Sequence, residues 1–156
     1  MRAARWSGPF EYELRADARR FETWEANVAG RIGLGVAIDH VAEWGIDAIE
    51  ARVRVLAARL REQLASLPGV TVHDRGQRPC GIVTFTVDGH TPEAVADHLR
   101  RKAVNVSVSS GLDSQLDLLP RGLGGGLVRA SVHYFNNDDE LERAVAGVAV
   151  LLGRSV

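Results

Sequence analysis

Arg129 is the residue whose type and position most call for a chemical role. It lies in the run Leu127 to Tyr134, where alternation puts Val128, Ala130, Val132 and Tyr134 on one face and Arg129, Ser131 and His133 on the other. An arginine midway along a strand and turned from the apolar side must meet water, a carboxylate or a ligand. Its planar fork suits bidentate carboxylate recognition, and a salt-bridged or solvated surface arginine is the alternative. His133 shares that polar face and is a second, weaker candidate. Ser107, Ser109, Ser110 and Arg121 lie in or beside a loop rich in Gly, Ser and Asp, Ser109 to Gly126, of the kind that often covers a site. The spacing expects no regular element within that loop.

Other reactive types are sparse. Lys102 is the only lysine and ends a helix in RRK, where a cation is favoured, so it reads as a solvated surface group. Cys80 is the only cysteine and reads as a small packing residue at the entrance to a strand. His98 reads as a half-buried surface histidine. No Ser-His-Asp set, catalytic carboxylate pair, phosphate-cradling glycine loop or metal-ligand spacing can be assembled, so no catalytic residue and no metal is expected.

Two stretches carry a family resemblance. VRASVHYFN, from Val128 to Asn136, resembles the closing strand and turn of the class V aminotransferases, a pyridoxal-phosphate-dependent superfamily that includes cysteine desulfurases and isopenicillin-N-epimerase-like proteins. The resemblance implies that Arg129 binds the α-carboxylate of an amino-acid substrate. RFETWEANVAGRIGLGVA, from Arg20, is similar to the passage from the large to the small domain of these enzymes. In many of them it reads RFE-x-G-T-x-N, and the threonine reaches the coenzyme phosphate of a neighbouring subunit. Here Trp24 stands in place of the glycine and Glu25 in place of the threonine, and a carboxylate would repel a phosphate.

The resemblance spans about Tyr12 to Leu152 and covers only the C-terminal, small domain. It implies a connecting arm over residues 1–26 and a small domain over 27–156. The partners it implies are a missing large domain that binds pyridoxal 5'-phosphate, an amino acid, and a second subunit in a homodimeric enzyme. The Schiff-base lysine such chemistry needs belongs to the large domain, since Lys102 lies outside any Ser-x-His-Lys context, so the chain alone is expected neither to catalyse nor to hold the coenzyme. In desulfurases the catalytic cysteine lies on the loop that here runs from Ser109 to Gly126, which has none. A stand-alone non-catalytic module that binds a carboxylate or a protein is the alternative reading.

Composition limits the partners. A net charge of −1 with scattered arginines gives no basic footprint for nucleic acid. No apolar run approaches the length that crosses a bilayer, and the first twenty residues lack the apolar centre of a signal peptide, so a cytoplasmic protein is expected.

The elements that must position Arg129 are legible in part. Aromatic residues Trp6, Phe10, Tyr12, Phe21 and Trp24 crowd the arm, where Gly8-Pro9 breaks any early helix. The spacing predicts a helix from Val28 to Trp44, buried on more than one side, and a longer one to Leu67 opened by a box of Asp47 and Glu50. Strands follow over Thr71 to Asp74 and Gly81 to Val87, then a helix capped by Thr91, a strand over Val104 to Ser109, the strand of Arg129, and a helix capped by Asn136 or Asn137. This order predicts an α+β fold, with a small, mostly antiparallel sheet of about four strands covered on one face by helices.

Overall fold

The computed structural model describes residues 3–22 and 25–153, and the chain divides into two compact units, Met1–Gly45 and Ile46–Val156. In the first, strands β1 (Ala4–Gly8) and β2 (Glu11–Leu14) pair antiparallel as a hairpin. The sequence shows only a broken arm here, because strands of five and four residues are too short for alternation to register. Pro9-Phe10 makes the turn, and Trp6 lies opposite Tyr12 with the rings edge to face at 6.5 Å.

Helix α1 (Val28–Trp44) follows, its Asn27 side chain accepting from the Gly30 backbone N–H at 2.8 Å. The helix is where the spacing places it, but its expected burial is not. None of its residues is buried, and Ile32, Leu34 and Val36 are each more than 60% exposed. Periodicity reports that a face is apolar; it does not supply what covers it.

The second unit carries α2 (Ile46–Ala65), β3 (Val70–Val72), β4 (Ile82–Val87), α3 (Pro92–Arg101), β5 (Ser107–Ser109), α4 (Gln115–Leu118), β6 (Leu127–Ser131) and α5 (Asp138–Leu151). The four strands form one antiparallel sheet in the order β3-β4-β6-β5. Val83, Phe85 and Val128 point to one face and meet Leu56, Leu60 and Leu64 of α2, Val95 and Leu99 of α3, and Leu141 and Val148 of α5. This is the expected α+β arrangement, held by burial of an apolar sheet face under helices.

The caps of α3 and α5 form as the sequence suggests. Thr91 Oγ1 accepts from the Ala94 N–H, and Asn137 with Glu140 makes a reciprocal capping box. At α2 the expected box is absent: Asp47 lies in the first turn, and Glu50 accepts from Arg54 Nη1 at 3.2 Å.

Three strand boundaries differ from expectation for local reasons. β3 ends at Val72, and Asp74 closes the edge with its side chain, accepting from the Thr84 N–H at 2.8 Å. β5 begins only at Ser107, because Ala103 takes a left-handed φ of 58° and the Val104 N–H is drawn back to Leu99 O to finish α3. β6 stops at Ser131, since the Asn136 side chain accepts from the His133 N–H at 2.8 Å and turns the chain. The Ser109 to Gly126 loop, expected to be irregular, contains α4 and a 3-10 turn over Leu119–Arg121, anchored by Leu118 at 2% exposure. Among the described residues no helix is long and apolar enough to cross a membrane, and no three of His, Cys, Asp or Glu gather for a metal.

Candidate functional site

The face of the sheet opposite the helical core is polar at its centre. Thr84, Arg129 and Ser107 stand directly opposite one another on β4, β6 and β5, so their side chains share that face in one row. Arg129 is exposed there, as the alternation predicts.

Its Nε donates to Ser107 Oγ at 3.0 Å, and the same hydroxyl makes a longer contact of 3.4 Å to the Arg129 carbonyl. Among the described residues no carboxylate pairs with Arg129, and its two Nη groups make no further hydrogen bond. A cation in this state can take an anion from solution without first breaking a protein ion pair.

The nearby carboxylate is engaged elsewhere. Asp74 accepts from Thr84 Oγ1 at 2.6 Å and from Arg61 Nε at 2.5 Å, while Arg61 Nη2 also reaches the carbonyls of Cys80 and Ile82, each at 2.7 Å. Thr84, Asp74 and Arg61 were not singled out by sequence. The alternation of IVTFTV could have placed Thr84 on the polar face, but nothing local links Arg61 to Asp74.

An open cleft of about 370 Å³ adjoins this row, lined by His73, Asp74, Thr84, Ser109, Leu118 and Arg121. Arg121 is fixed by its surroundings: Nη1 pairs with Asp117 at 2.7 Å and Nη2 donates to His73 O at 2.8 Å, with the side chain 13% exposed. It ties the loop to the end of β3. His73 Nε2 lies 2.9 Å from Thr86 Oγ1, and burial first, then the Arg121 charge, lowers its pKa below the ordinary imidazole range. Ser110 Oγ accepts from the Leu112 N–H and holds the turn.

The remaining candidates lie apart. His133 falls beyond β6, in the turn, where its ring stacks on Phe135 at 4.4 Å. Tyr134, expected to continue the apolar face, lies beyond the strand as well. Glu25 is exposed in the first unit, and Trp24 lies outside the described residues. Cys80 is exposed rather than packed, and its Sγ is 3.5 Å from the Ile82 N–H.

The architecture, a helix-backed antiparallel sheet, is that of domains found in pyridoxal-phosphate enzymes. Residues 7–144 match the family described as Aminotransferase class-V, and the chain belongs to that pyridoxal-phosphate-dependent family. It is 33% identical over 129 residues to a cysteine desulfurase of Salmonella agona (strain SL483), a match covering 83% of this chain and 31% of that protein. Against a probable cysteine desulfurase of Methanothermobacter thermautotrophicus the identity is 31% over 134 residues, covering 84% and 33%. The apo structure of a cysteine desulfurase from Thermococcus onnurineus NA1 superposes with a TM-score of 0.77 at 27% identity, covering 97% of this chain and 38% of that one. A cysteine desulfurase from Escherichia coli gives a TM-score of 0.80 at 23% identity, covering 99% and 38%, a likeness of fold. The chain thus spans 31% and 33% of the lengths of these two curated relatives.

The residues described here do not fit the coenzyme by themselves. Covalent capture of pyridoxal phosphate needs a lysine amine. Lys102 caps α3, which packs on the core face through Val95 and Leu99, and its Cδ is 3.5 Å from where a Cβ on Gly147 of α5 would stand. Arg129 is on the opposite face of the sheet.

Proposed function

We propose that this chain is the small domain of a pyridoxal-phosphate-dependent class V enzyme acting on an amino acid, and that Arg129 binds the substrate's α-carboxylate. The observation that carries the reading is the exposed guanidinium on the sheet face opposite the helical core, with Nε held by Ser107 and no carboxylate of the described residues against it. A protonated guanidinium fixes one end of an amino acid by charge and direction, and leaves the α-carbon to be placed by other groups. The coenzyme and its lysine are assigned to a large domain that completes the enzyme, which is read as a cytoplasmic homodimer. Ser109, facing the adjoining cleft, is the second candidate for a substrate contact. Ser107 and Arg121 are assigned to holding groups in place, and His133 stands further from the role.

The reaction is of the transaminase, epimerase or C–S lyase type. The persulfide chemistry that the desulfurase relatives suggest is not carried over, because the loop from Ser109 to Gly126 has no cysteine and Cys80 lies before β4. The test is to co-express the chain with a lysine-bearing large domain, load pyridoxal phosphate, and follow its visible absorbance while amino acid is added. Arg129→Ala should weaken amino-acid binding by about ten- to a hundredfold, the scale of hydrogen bonds to a charged group. Unchanged binding would overturn the assignment.

A further inference from the structure

The geometry points to Ser107 as a positioning residue that restricts Arg129 to one mode of carboxylate recognition, end-on through Nη1 and Nη2; this rests on the carboxylate reading of Arg129 above. An arginine can grip a carboxylate bidentately in two ways, across Nε and one Nη or across the two Nη groups. Nε carries a single N–H, and here that N–H is directed to Ser107 Oγ at 3.0 Å. The side-on mode is therefore occupied by the protein itself.

The serine is suited to this role by its own surroundings. Ser107 is the direct partner of Arg129 across the β5–β6 pairing, so its side chain rises from the same face one strand away. A hydroxyl has one proton and two lone pairs. Its contact of 3.4 Å to the Arg129 carbonyl gives the proton a direction and leaves a lone pair for Nε–H. Two contacts on one residue fix the plane of the guanidinium relative to its own backbone, and the Nη edge is left outward. Immobilising the long side chain before binding removes rotamer entropy that a carboxylate would otherwise have to overcome.

On the other side of Arg129 the row is prevented from competing. Thr84 Oγ1 gives its proton to Asp74, and Asp74 is bound by Arg61. The carboxylate nearest the row is thereby kept from drawing the fork away from solvent. Ser107 sets the direction, and Arg61 with Thr84 keeps the nearest carboxylate occupied.

The experiment uses the 156-residue chain labelled with ¹⁵N, with L-alanine as the probe. The Arg129 Nε–H signal, identified by its loss in Arg129→Gln, is expected to be slowed in exchange with water in the wild type. It should become fast-exchanging in Ser107→Ala and recover in Ser107→Thr, which restores a hydroxyl. L-alanine should move the Nη signals more than the Nε signal, with affinity falling about three- to tenfold in Ser107→Ala, the loss that one hydrogen bond sets. Circular dichroism that matches wild type in both Ser107 variants separates this from a fold defect. A slowed Nε–H that survives in Ser107→Ala, or L-alanine shifting Nε as strongly as Nη in the wild type, would overturn the inference. If Nε–H is slowed only when Ser107 or Thr is present while L-alanine shifts nothing, the clamp is supported and the carboxylate role of Arg129 is what fails.

Discussion

Arg61 Nε stands 2.5 Å from Asp74 Oδ2, with the two side chains 16% and 13% exposed, and this pair closes the sheet edge beside the Arg129 row. Asp74 does the work of a missing strand residue by accepting from the Thr84 N–H and hydroxyl, and Arg61 neutralises it while binding two carbonyls at the approach to β4. Arg61→Met would leave a largely enclosed carboxylate without its cation and two carbonyls without that donor. The expected loss is about 2 to 3 kcal/mol, well above the 0–1 typical of an exposed pair. Urea unfolding measures it, and a loss of only a few tenths would contradict the description.

Phe85 is 1% exposed at the centre of the core, between the α2 and α3 contacts of the sheet. Phe85→Ala should cost about 3 to 5 kcal/mol by lost transfer energy and the cavity left behind. Phe85→Leu should recover most of that loss in the same unfolding series.

The helical layer also contains an acid-sensitive point. His98 on α3 has its Nε2 buried without a hydrogen-bond partner. Burial chiefly, and then the charges of Lys102, Arg101 and His90, lower its pKa from the ordinary 6.5. A histidine whose folded pKa lies below its unfolded one binds its proton more readily in the unfolded chain. Its contribution to stability is therefore complete above about pH 6.5 and declines as pH falls from there toward the lower folded value. His73, lowered for similar reasons, adds in the same direction. Denaturation midpoints from pH 7.5 to 5.5 should fall in the wild type and fall less in His98→Gln. Parallel slopes for the two proteins would show that His98 does not contribute.

What could be read from the residues follows the range of the interactions. The Asn137 cap, the Thr91 cap, and the stripe of Leu56, Leu60 and Leu64 are set within one or two helical turns, and they appear where spacing puts them. The outward direction of Arg129 needs only strand alternation and was legible too. The late start of β5 was not, because Val104 and Val106 alternate like strand residues while the left-handed turn at Ala103 sends the chain off the ladder. Arg61 and Asp74 are thirteen positions apart and meet only once α2 lies on the sheet. The bond from Arg129 to Ser107 depends likewise on a strand pairing across twenty-two positions.

That pairing makes Arg129→Lys a sharper probe than removal of the charge. Lysine keeps the positive charge but has no Nε–H at the position Ser107 accepts from, and its ammonium cannot present two parallel donors to a carboxylate. If charge alone held the substrate, the lysine variant would bind amino acid nearly as well as wild type. If the fork held by Ser107 matters, the variant should lose about tenfold or more, approaching Arg129→Ala, with binding that falls more steeply as salt is added because a mobile point charge is more easily screened. Amino-acid titration of the complete, coenzyme-loaded enzyme at two ionic strengths distinguishes the cases, and a lysine variant equal to wild type at both would reduce Arg129 to a source of positive potential.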